Sequence, residues 1–184
     1  MPFKKILTTI PEIFIVIPQS FQDNRGSFCE FYKRSTFIEL GIENEFIQEN
    51  FSQSDRGVVR GLHYQKPPFA QGKLVQVLKG EIFDVAVDIR LSSKTFGKWV
   101  SARLSRKEQN MLWVPEGFAH GFMALTDSVE VMYKVTSEYS PTHERSILYN
   151  DPDLNIAWPG SAPVLSAKDL AAPGFKQSMK DFFQ

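Results

Sequence analysis

Cysteine, net charge and long apolar runs are what this sequence has least of. Among its 184 residues Cys29 is the single cysteine, which excludes an intramolecular disulfide and the common zinc sites built from several cysteines. Lysine plus arginine and aspartate plus glutamate number 21 each, so the formal net charge is zero and nucleic-acid binding is not expected. The longest apolar stretch, residues 13–17, is much shorter than the roughly 20 residues of a membrane-spanning helix.

Glycine and proline occur at ordinary abundance, 11 of each, which excludes collagen-like and low-complexity chains. With 42% apolar and 23% charged residues, the composition is typical of one globular domain, residues 1–184. The N-terminal residues lack the apolar core of an export signal. We therefore expect a cytoplasmic protein with no membrane partner.

Alternation of apolar and polar residues dominates the middle of the chain. In residues 81–90, Phe83, Val85, Val87 and Ile89 fall on one face, which predicts a strand with that face in a core. Similar patterns predict strands at residues 13–17, 28–32, 46–52, 73–78, 98–104, 111–114, 121–125 and 129–136. Many short strands at roughly ten-residue spacing favour a sandwich, a jelly roll or a barrel. The 16 phenylalanines supply the volume to fill its interior.

Signals for helices are few. Ser35 and Thr36 precede a short apolar run that ends at Gly41, which predicts a short helix with a serine or threonine cap and a glycine stop. Ser166, with Asp169 three residues later, predicts the start of a second.

Two of the three histidines lie in motifs that resemble those of cupins, a family of jelly-roll barrels. His63 follows Gly57 with five residues between them, as in the first cupin motif. His120 closes a proline-x-glycine-x2-histidine sequence that begins at Pro115, as in the second. The resemblance agrees with the strand pattern and implies an all-β cupin jelly roll, a double-stranded β-helix barrel with a few short peripheral helices.

The metal-ligand set of cupins is incomplete. Metal-binding cupins use a histidine-x-histidine pair followed by a glutamate and a later histidine, but here Gln65 occupies the second position and no glutamate occurs before Glu81. Two imidazoles are too few for a closed or facial metal site. We expect no metal and no other cofactor, which leaves the imidazoles available for proton transfer.

Matches along nearly the whole chain carry a more specific resemblance. They comprise residues 21–30, 48–52, 59–65, 71–75, 84–90, 95–97, 115–122, 133–134, 139–141, 151–152, 158–159 and 166–169. In these blocks the sequence resembles the dTDP-4-dehydrorhamnose 3,5-epimerases and related dTDP-4-keto-sugar epimerases.

The resemblance implies an isomerase that acts on a nucleotide sugar. The expected reaction is epimerisation of dTDP-4-dehydro-6-deoxy-D-glucose at C3 and C5 to dTDP-4-dehydro-L-rhamnose, a step in dTDP-L-rhamnose biosynthesis for cell-surface polysaccharide. It also implies a homodimer whose subunits exchange their N-terminal regions.

The chemistry of the reaction explains the residues that the family uses. The hydrogens at C3 and C5 flank the C4 ketone, so their removal requires a base, a cation beside the enolate oxygen and an acid on the opposite face. By match, His63 is the base and Asp169 its carboxylate partner. Lys73 matches the enolate-stabilising lysine, and Tyr133 matches the acid.

The resemblance also implies a set of substrate-binding residues. Cations are needed for the diphosphate, and flat or polar groups for thymine. The matching residues are Arg25, Glu30, Gln48, Asn50, Arg60, His120, Tyr139, Glu144 and Lys168. Arg25 and Glu30 would then reach the barrel of the neighbouring subunit.

Several points stay open at the level of sequence. Asp84 is a rival to Asp169 as partner of a histidine, and Glu144 and Lys168 could be ordinary surface charges. Strict alternation puts Arg60 on the opposite face from His63, unless a glycine between them marks a bulge or the arginine reaches the site from the rim.

The alternative functions are a mono-epimerase acting at C3 or C5 alone, a non-catalytic dTDP-sugar-binding cupin and a metal-dependent cupin. The first shares its catalytic residues with the double epimerases, so the sequence separates the two poorly.

Overall fold

A computed structural model describes residues 3–184 and consists mainly of antiparallel strands. The strands are β1 Phe3–Leu7, β2 Phe14–Pro18, β3 Ser20–Asp23, β4 Gly26–Cys29, β5 Gln48–Ser54, β6 Val59–Gln65, β7 Lys73–Lys79, β8 Glu81–Asp88, β9 Trp99–Ser105, β10 Met111–Val114, β11 Phe118–Ala124, β12 Val129–Val135 and β13 Glu144–Ser146. The helices are α1 Arg34–Glu39, α2 Ala167–Leu170 and α3 Phe175–Ser178, followed by a 3₁₀ turn at Met179–Asp181. Within these residues, no helix is long and apolar enough to cross a membrane.

Two large sheets face each other. One has the strand order β1-β2-β10-β7-β12-β5, and the other has the order β13-β6-β11-β8-β9, while β3 and β4 form a separate hairpin. Strands far apart in sequence pair within each sheet, such as β2 with β10, β5 with β12 and β6 with β11. Such long-range antiparallel pairing is typical of a jelly roll. The all-β jelly-roll prediction is therefore confirmed.

The space between the two sheets is filled by apolar side chains. Val75 and Val77 of β7 and Val131 of β12 meet Ile82 of β8 and Phe122 of β11 in one buried cluster. These residues alternate along their strands with outward-facing ones, as the pleat of a strand requires. We call this cluster the barrel floor, because the polar residues described below lie beyond it.

Both faces of β8 are buried, which corrects the prediction of a single buried face. Ile82 and Ala86 point into the barrel floor, whereas Val85 and Val87 pack outside the five-stranded sheet. Leu154, Ile156, Phe175 and Phe182 cover that outer face. These covering residues come from a C-terminal segment with little regular secondary structure. No periodic pattern in the sequence therefore predicts that this segment covers the sheet.

Most of the predicted strands are present within a few residues of their predicted bounds. The strand predicted at residues 28–32 ends instead at Cys29, and β1, β3, β6 and β13 lie outside the predicted ranges. These four have little regular alternation to recognise: β3 is exposed along its whole length, β13 has only three residues, and a register shift interrupts β6.

The predicted side-chain cap of α1 is wrong. The N-cap residue is Lys33, without a side-chain hydrogen bond, and Ser35 and Thr36 lie inside the first turn. The glycine stop is correct, since Gly41 has a φ of +96° and donates its N–H to the Ile38 carbonyl.

The predicted cap of α2 is also correct. Ser166 Oγ accepts the backbone N–H of Asp169 at 3.1 Å.

A bulge in β6 brings Arg60 and His63 to the same side of the sheet. His63 lies opposite His120 and Arg60 lies opposite Phe122, so two residues of β6 oppose the single Gly121. The extra residue reverses the alternation. Of the two explanations left open by the sequence, the bulge is the one that the structure shows.

Gly61 is required at this bulge. Its φ is +130°, and a Cβ built there would lie 2.5 Å from Gly121 Cα. We expect Gly61→Ala to lower the free energy of unfolding by about 2 kcal/mol or more, because backbone strain and a backbone clash add. Urea unfolding measures the difference.

Gly160→Ala is the matched control. Gly160 also has a positive φ, +89°, but no atom lies within 4 Å of the added Cβ. We expect a loss of about 1 kcal/mol from backbone strain alone. Equal losses in the two variants would show that the contact between β6 and β11 is not tight.

Candidate active site

A cavity of about 750 Å³ opens at one end of the barrel, beyond the barrel floor. Apolar side chains form part of its wall, and the charged and hydrogen-bonding ones include Asn50, Arg60, His63, Lys73, His120, Tyr133, Tyr139, Glu144, Lys168 and Asp169. A smaller cavity of about 200 Å³ shares part of this wall and is lined in addition by Gln48, Gln65 and Gln71. Of the thirteen residues predicted for the site, eleven therefore lie together.

The side chains of the cavity come from both sheets. His63 on β6 and His120 on β11 belong to the five-stranded sheet, while Lys73 on β7 and Tyr133 on β12 belong to the six-stranded sheet. Tyr133 continues the inward-facing row of Val129 and Val131, as its position in the strand predicts. His63 and Tyr133 therefore face the cavity from opposite walls.

His63 forms a hydrogen bond with Asp169. The distance from Nε2 to Oδ1 is 2.6 Å, so Asp169, and not Asp84, is the carboxylate beside this histidine. The carboxylate fixes the proton on Nε2 and leaves Nδ1 as the basic atom of the ring. Ser166 orients Asp169 in turn, since its Oγ donates to Oδ2 at 2.9 Å.

The surroundings of Asp169 favour its charged form. The residue is only 4% exposed, and burial alone would raise its pKa. The hydrogen bonds from His63 and Ser166, together with the charges of His63 and Lys168, lower the pKa of Asp169 below its ordinary value. Asp169 is therefore ready to hold and stabilise a protonated His63.

Lys73 is a buried amine at the start of β7. Its side chain faces the cavity, and Nζ lies 3.4 Å from the backbone carbonyl of His63. Burial lowers the pKa of Lys73 to about 8, against the opposing charges of Asp84 and Glu144. The residue is mostly an ammonium ion at pH 7, in a place where little water competes for it.

Tyr133 presents a protonated phenol. Burial raises its pKa above the ordinary value, the positive charge of Arg60 opposes this effect, and the negative charge of Glu144 adds to it. The hydroxyl is therefore a proton donor, and not a phenolate, near neutral pH.

His120 and Asp84 form a second histidine–carboxylate pair. The distance from Nε2 to Oδ1 is 2.8 Å, and both residues are buried. This pair lies on the five-stranded sheet, since Asp84 of β8 and His120 of β11 come from paired strands.

The predicted binding residues Glu144 and Lys168 are not isolated surface charges. Lys168 Nζ and the hydroxyl of Tyr139 both donate to Glu144 Oε2. Hydrogen bonds from Lys168 and Tyr139 hold the pKa of Glu144 below its ordinary value, although burial acts the other way as the largest single effect. Together the three side chains form one polar rim of the cavity.

On another part of the wall, Gln48 donates to Asn50 at 2.8 Å and accepts the backbone N–H of Tyr139 at 2.8 Å. Arg60 is held by Ser54 Oγ and the Gln53 carbonyl, each at 3.0 Å.

Arg25 and Glu30 lie outside the cavity. Arg25 is in the turn of the β3–β4 hairpin, where it pairs with Asp23 at 2.6 Å, and Glu30 is exposed just after β4. A single chain does not bring either residue to the site.

Gln65 has a positioning contact that the sequence did not reveal. Its amide donates to the carbonyls of Phe69 and Glu138 and accepts the N–H of Ser140. It therefore fixes the loop that carries Tyr139. The only signal in the sequence was that glutamine replaces a cupin metal ligand.

Among the described residues, no three histidine, cysteine, aspartate or glutamate side chains are grouped to hold a metal.

Comparison with known proteins points to one family. The family model for dTDP-4-dehydrorhamnose 3,5-epimerase matches residues 7–177. A dTDP-4-dehydrorhamnose 3,5-epimerase of Salmonella typhimurium is 52% identical over 176 residues, which cover 95% of this chain and 96% of that protein.

Solved structures agree. The dTDP-6-deoxy-D-glucose-3,5-epimerase of Legionella pneumophila, in complex with dTDP-4-keto-L-rhamnose, is 46% identical with a TM-score of 0.93 and covers 99% of both chains. A 3′-monoepimerase of Streptomyces bikiniensis, in complex with dTDP-quinovose, is 31% identical with a TM-score of 0.89, over 95% of this chain and 89% of that one.

The lowered pKa of Asp169 predicts how stability depends on pH. A group whose pKa is lower in the folded than in the unfolded state stabilises the fold above its unfolded pKa, and this contribution is lost as pH falls through the folded pKa. We expect Asp169→Asn to reduce the loss of unfolding free energy between about pH 5 and pH 2. Urea unfolding at several pH values measures the slope.

Asp55→Asn serves as the control, because Asp55 is exposed and its side chain has no hydrogen bond within residues 3–184. We expect the larger change of slope in Asp169→Asn. An unchanged slope in Asp169→Asn would contradict the assigned contact with His63.

Proposed function

This chain belongs to the dTDP-4-dehydrorhamnose 3,5-epimerase family, and we propose that it inverts C3 and C5 of dTDP-4-dehydro-6-deoxy-D-glucose to give dTDP-4-dehydro-L-rhamnose. The product serves dTDP-L-rhamnose biosynthesis. The family match spans residues 7–177, which supports one catalytic domain over the chain. The mechanism depends on the position of the base and the acid on opposite walls of the cavity. The His63–Asp169 pair belongs to one wall, Tyr133 lies on the other sheet, and Lys73 lies in the same cavity.

The first step is removal of a proton next to a ketone. His63 Nδ1 accepts the proton from C3 or C5, and the electron pair of the broken C–H bond moves to the C4 oxygen to form an enolate. Asp169 stabilises the resulting imidazolium through its hydrogen bond to Nε2. No change of oxidation state occurs, so side chains alone can supply the chemistry.

Lys73 stabilises the enolate. Its ammonium group lies in a cavity of low dielectric, where a positive charge beside a developing negative charge is worth more than in water. Because the pKa of Lys73 is about 8, we expect this contribution to fade as the pH rises through that value.

Tyr133 completes the inversion. It donates its hydroxyl proton to the carbon from the face opposite His63, and the enolate collapses to the ketone with the configuration reversed. Solvent then exchanges protons with both residues and restores them. In a gluco-configured chair the hydrogens at C3 and C5 are axial on the same face, so one base and one opposed acid can act at both carbons.

The remaining polar groups fit a nucleoside diphosphate. Arg60 and Lys168 supply positive charge for the diphosphate, and the ring of Tyr139 offers a flat surface for thymine. Gln48 and Asn50 offer amide groups that can pair with the polar edge of the base.

The β3–β4 hairpin supports a homodimer. Its cross-strand pair Phe21 and Phe28 is 54% and 73% exposed, an unusual cost for a lone chain. Arg25 and Glu30 accompany these rings outside the cavity. We propose that the hairpin lies against the partner's barrel, where the two charged residues complete its nucleotide site.

The proposed location is the cytoplasm, where a free thiol such as Cys29 stays reduced.

A mono-epimerase is the main alternative. The 3′-monoepimerase of S. bikiniensis shares the fold but only 31% identity, whereas the double epimerase of S. typhimurium shares 52%. A non-catalytic sugar-binding protein is less well supported, because binding alone requires no base, buried amine and opposed phenol.

Deuterium incorporation tests the role of His63. We expect His63→Ala to lower the exchange of solvent deuterium into C3 and C5 of the substrate by about 10²–10⁴-fold, because the base is lost. Proton NMR in heavy water measures the exchange at each carbon.

Tyr133→Phe is the contrasting variant. It should still exchange deuterium but should not invert the carbon, because His63 returns the proton to the face it came from. Full exchange in His63→Ala would remove His63 from the role of base. In the unaltered chain, exchange at one carbon would favour a mono-epimerase, and tight dTDP binding without exchange would favour a binding protein.

The dimer predicts a further result. Light scattering should give twice the chain mass of 21.0 kDa. Phe28→Asp should yield monomers whose Kd for dTDP is higher by about tenfold or more. The reason is that a charge buried in the contact would disrupt it and would withdraw Arg25 from the partner's site. Met179→Ser, at an exposed position of the C-terminal 3₁₀ turn, is the control. A monomeric unaltered chain with full activity would contradict the proposal.

A further inference from the structure

The loop between β12 and β13 carries Tyr139 to the cavity but has little backbone structure of its own. The pairing of β12 with β5 ends at Val135. Within residues 3–184, no backbone group of Ser137, Glu138 or Tyr139 forms a hydrogen bond with another backbone group. A loop of this kind is mobile unless side chains hold it.

Gln65 holds this loop from the end of β6. Its Nε2 group donates to the Glu138 carbonyl at 3.0 Å, and its Oε1 atom accepts the Ser140 N–H at 2.7 Å. Nε2 also donates to the Phe69 carbonyl at 2.7 Å. A side-chain amide has two hydrogens to donate, so both are used in these contacts and neither is left for a ligand.

Two further glutamines hold the same loop. Gln71 donates to the Ser137 carbonyl at 2.7 Å, and Gln48 accepts the Tyr139 N–H at 2.8 Å. With Gln65, they bind one backbone group on each of four successive residues of the loop. We call Gln48, Gln65 and Gln71 the glutamine clamp. The clamp draws on both sheets, since β5 belongs to the six-stranded sheet and β6 to the five-stranded sheet.

Tyr139 depends on this clamp for its position. Its ring lines both cavities and is 52% exposed, so the packing of neighbouring side chains holds it only in part. Its hydroxyl donates to Glu144 Oε2, which fixes one end of the side chain, and the clamp fixes the backbone at the other end. A flat ring that is already in place binds a base more tightly, because less conformational entropy is lost on binding.

The clamp is separate from the groups assigned to proton transfer. Across residues 3–184, its side chains form no hydrogen bond with His63, Tyr133 or Asp169. His63 is bonded to Asp169, and Tyr133 lies within β12, which pairs with β5 and β7. Loss of the hold on the loop should therefore weaken nucleotide binding and leave the chemical step largely unaltered.

We propose that the glutamine clamp is a positioning device that holds the ring of Tyr139 in place for the thymine of the dTDP-sugar. The assignment rests on the proposed function. Gln65 and Gln71 are then positioning residues that set nucleotide affinity. The position at which metal-binding cupins carry a ligand is used here to order a binding loop.

Gln65→Met tests the proposal. Methionine has about the length of glutamine but cannot form the three hydrogen bonds, so the loop should lose its fixed conformation. We expect the Kd for dTDP and the KM for dTDP-4-dehydro-6-deoxy-D-glucose to rise about tenfold, and kcat to stay within about threefold of the unaltered chain. Isothermal titration calorimetry and steady-state kinetics measure these values.

Gln76→Met is the matched control. Gln76 is also buried, but its neighbours Val75 and Val77 face the barrel floor, so its side chain points to the outer face of β7. It lines neither cavity. The same substitution there should leave Kd and KM unchanged, even where stability changes.

A double-mutant cycle shows whether Gln65 acts through Tyr139. Tyr139→Ala should itself raise the Kd for dTDP about tenfold, because stacking of the base on the ring is lost. In that background Gln65→Met should raise the Kd less than about twofold further, because the ring that Gln65 positions is gone. If the two losses multiply to about a hundredfold, Gln65 acts on binding without Tyr139 and the proposal is overturned.

Amide hydrogen exchange tests the clamp without substrate or variant. The N–H groups of Tyr139 and Ser140 donate to glutamine side chains, so both should exchange slowly in the unaltered chain. Unprotected amides at both positions would overturn the proposal even if Gln65→Met does not fold. Gln71→Met removes only the contact with Ser137, and it should raise the Kd by a smaller factor than Gln65→Met.

These measurements separate the inference from the proposed function, since dTDP binding and amide exchange require no epimerisation. A chain in which Gln65→Met weakens dTDP binding, but which never exchanges deuterium at C3 or C5, would overturn the proposed function and leave the clamp in place. An active enzyme in which Gln65→Met leaves Kd and KM unchanged, or lowers kcat alone, would overturn the clamp and leave the proposed function in place.

Discussion

The hydrogen bond between His63 and Asp169 joins two parts of the chain that are 106 residues apart. His63 is fixed in the five-stranded sheet, whereas Asp169 is delivered by a four-residue helix in the C-terminal segment. That segment is tied to the barrel just before the helix, where Val164 exchanges backbone hydrogen bonds with Gly57 and Val59 at 2.9 Å. Farther along, Phe175 and Phe182 pack on the outer face of the sheet. The geometry of the base therefore depends on packing outside the barrel as well as inside it.

The cavity combines burial with charge, and several of its titratable side chains are hydrogen-bonded in pairs. His63 has Asp169, His120 has Asp84, and Glu144 has Lys168. Lys73 is the residue for which burial prevails most, since it lowers the pKa to about 8. Because burial leaves the ammonium group of Lys73 poorly solvated, a new negative charge beside it is strongly stabilising. The enolate supplies that negative charge. The apolar floor that gives the barrel its stability thus also makes the amine effective.

Much of the fold and of the site could be predicted from the sequence, and the failures have physical causes. Alternation located most strands because most of them carry a row of apolar residues on a buried face. The match of motifs brought His63, Lys73 and Tyr133 together correctly in one cavity. The sequence could not choose between Asp84 and Asp169 as partner of His63, because that choice depends on the path of the C-terminal segment. It gave no sign that both faces of β8 are covered, for the same reason.

The gap between base and acid is a property of the barrel floor. His63 and Tyr133 are carried by different sheets, and the side chains beneath them, such as Val77 and Phe122, keep those sheets apart. A methyl group added or removed in that layer would therefore alter the reach across the sugar ring without touching the substrate. The thickness of the hydrophobic interior therefore sets the distance between the base and the acid. The same few side chains determine both the stability of the fold and the stereochemistry of the reaction.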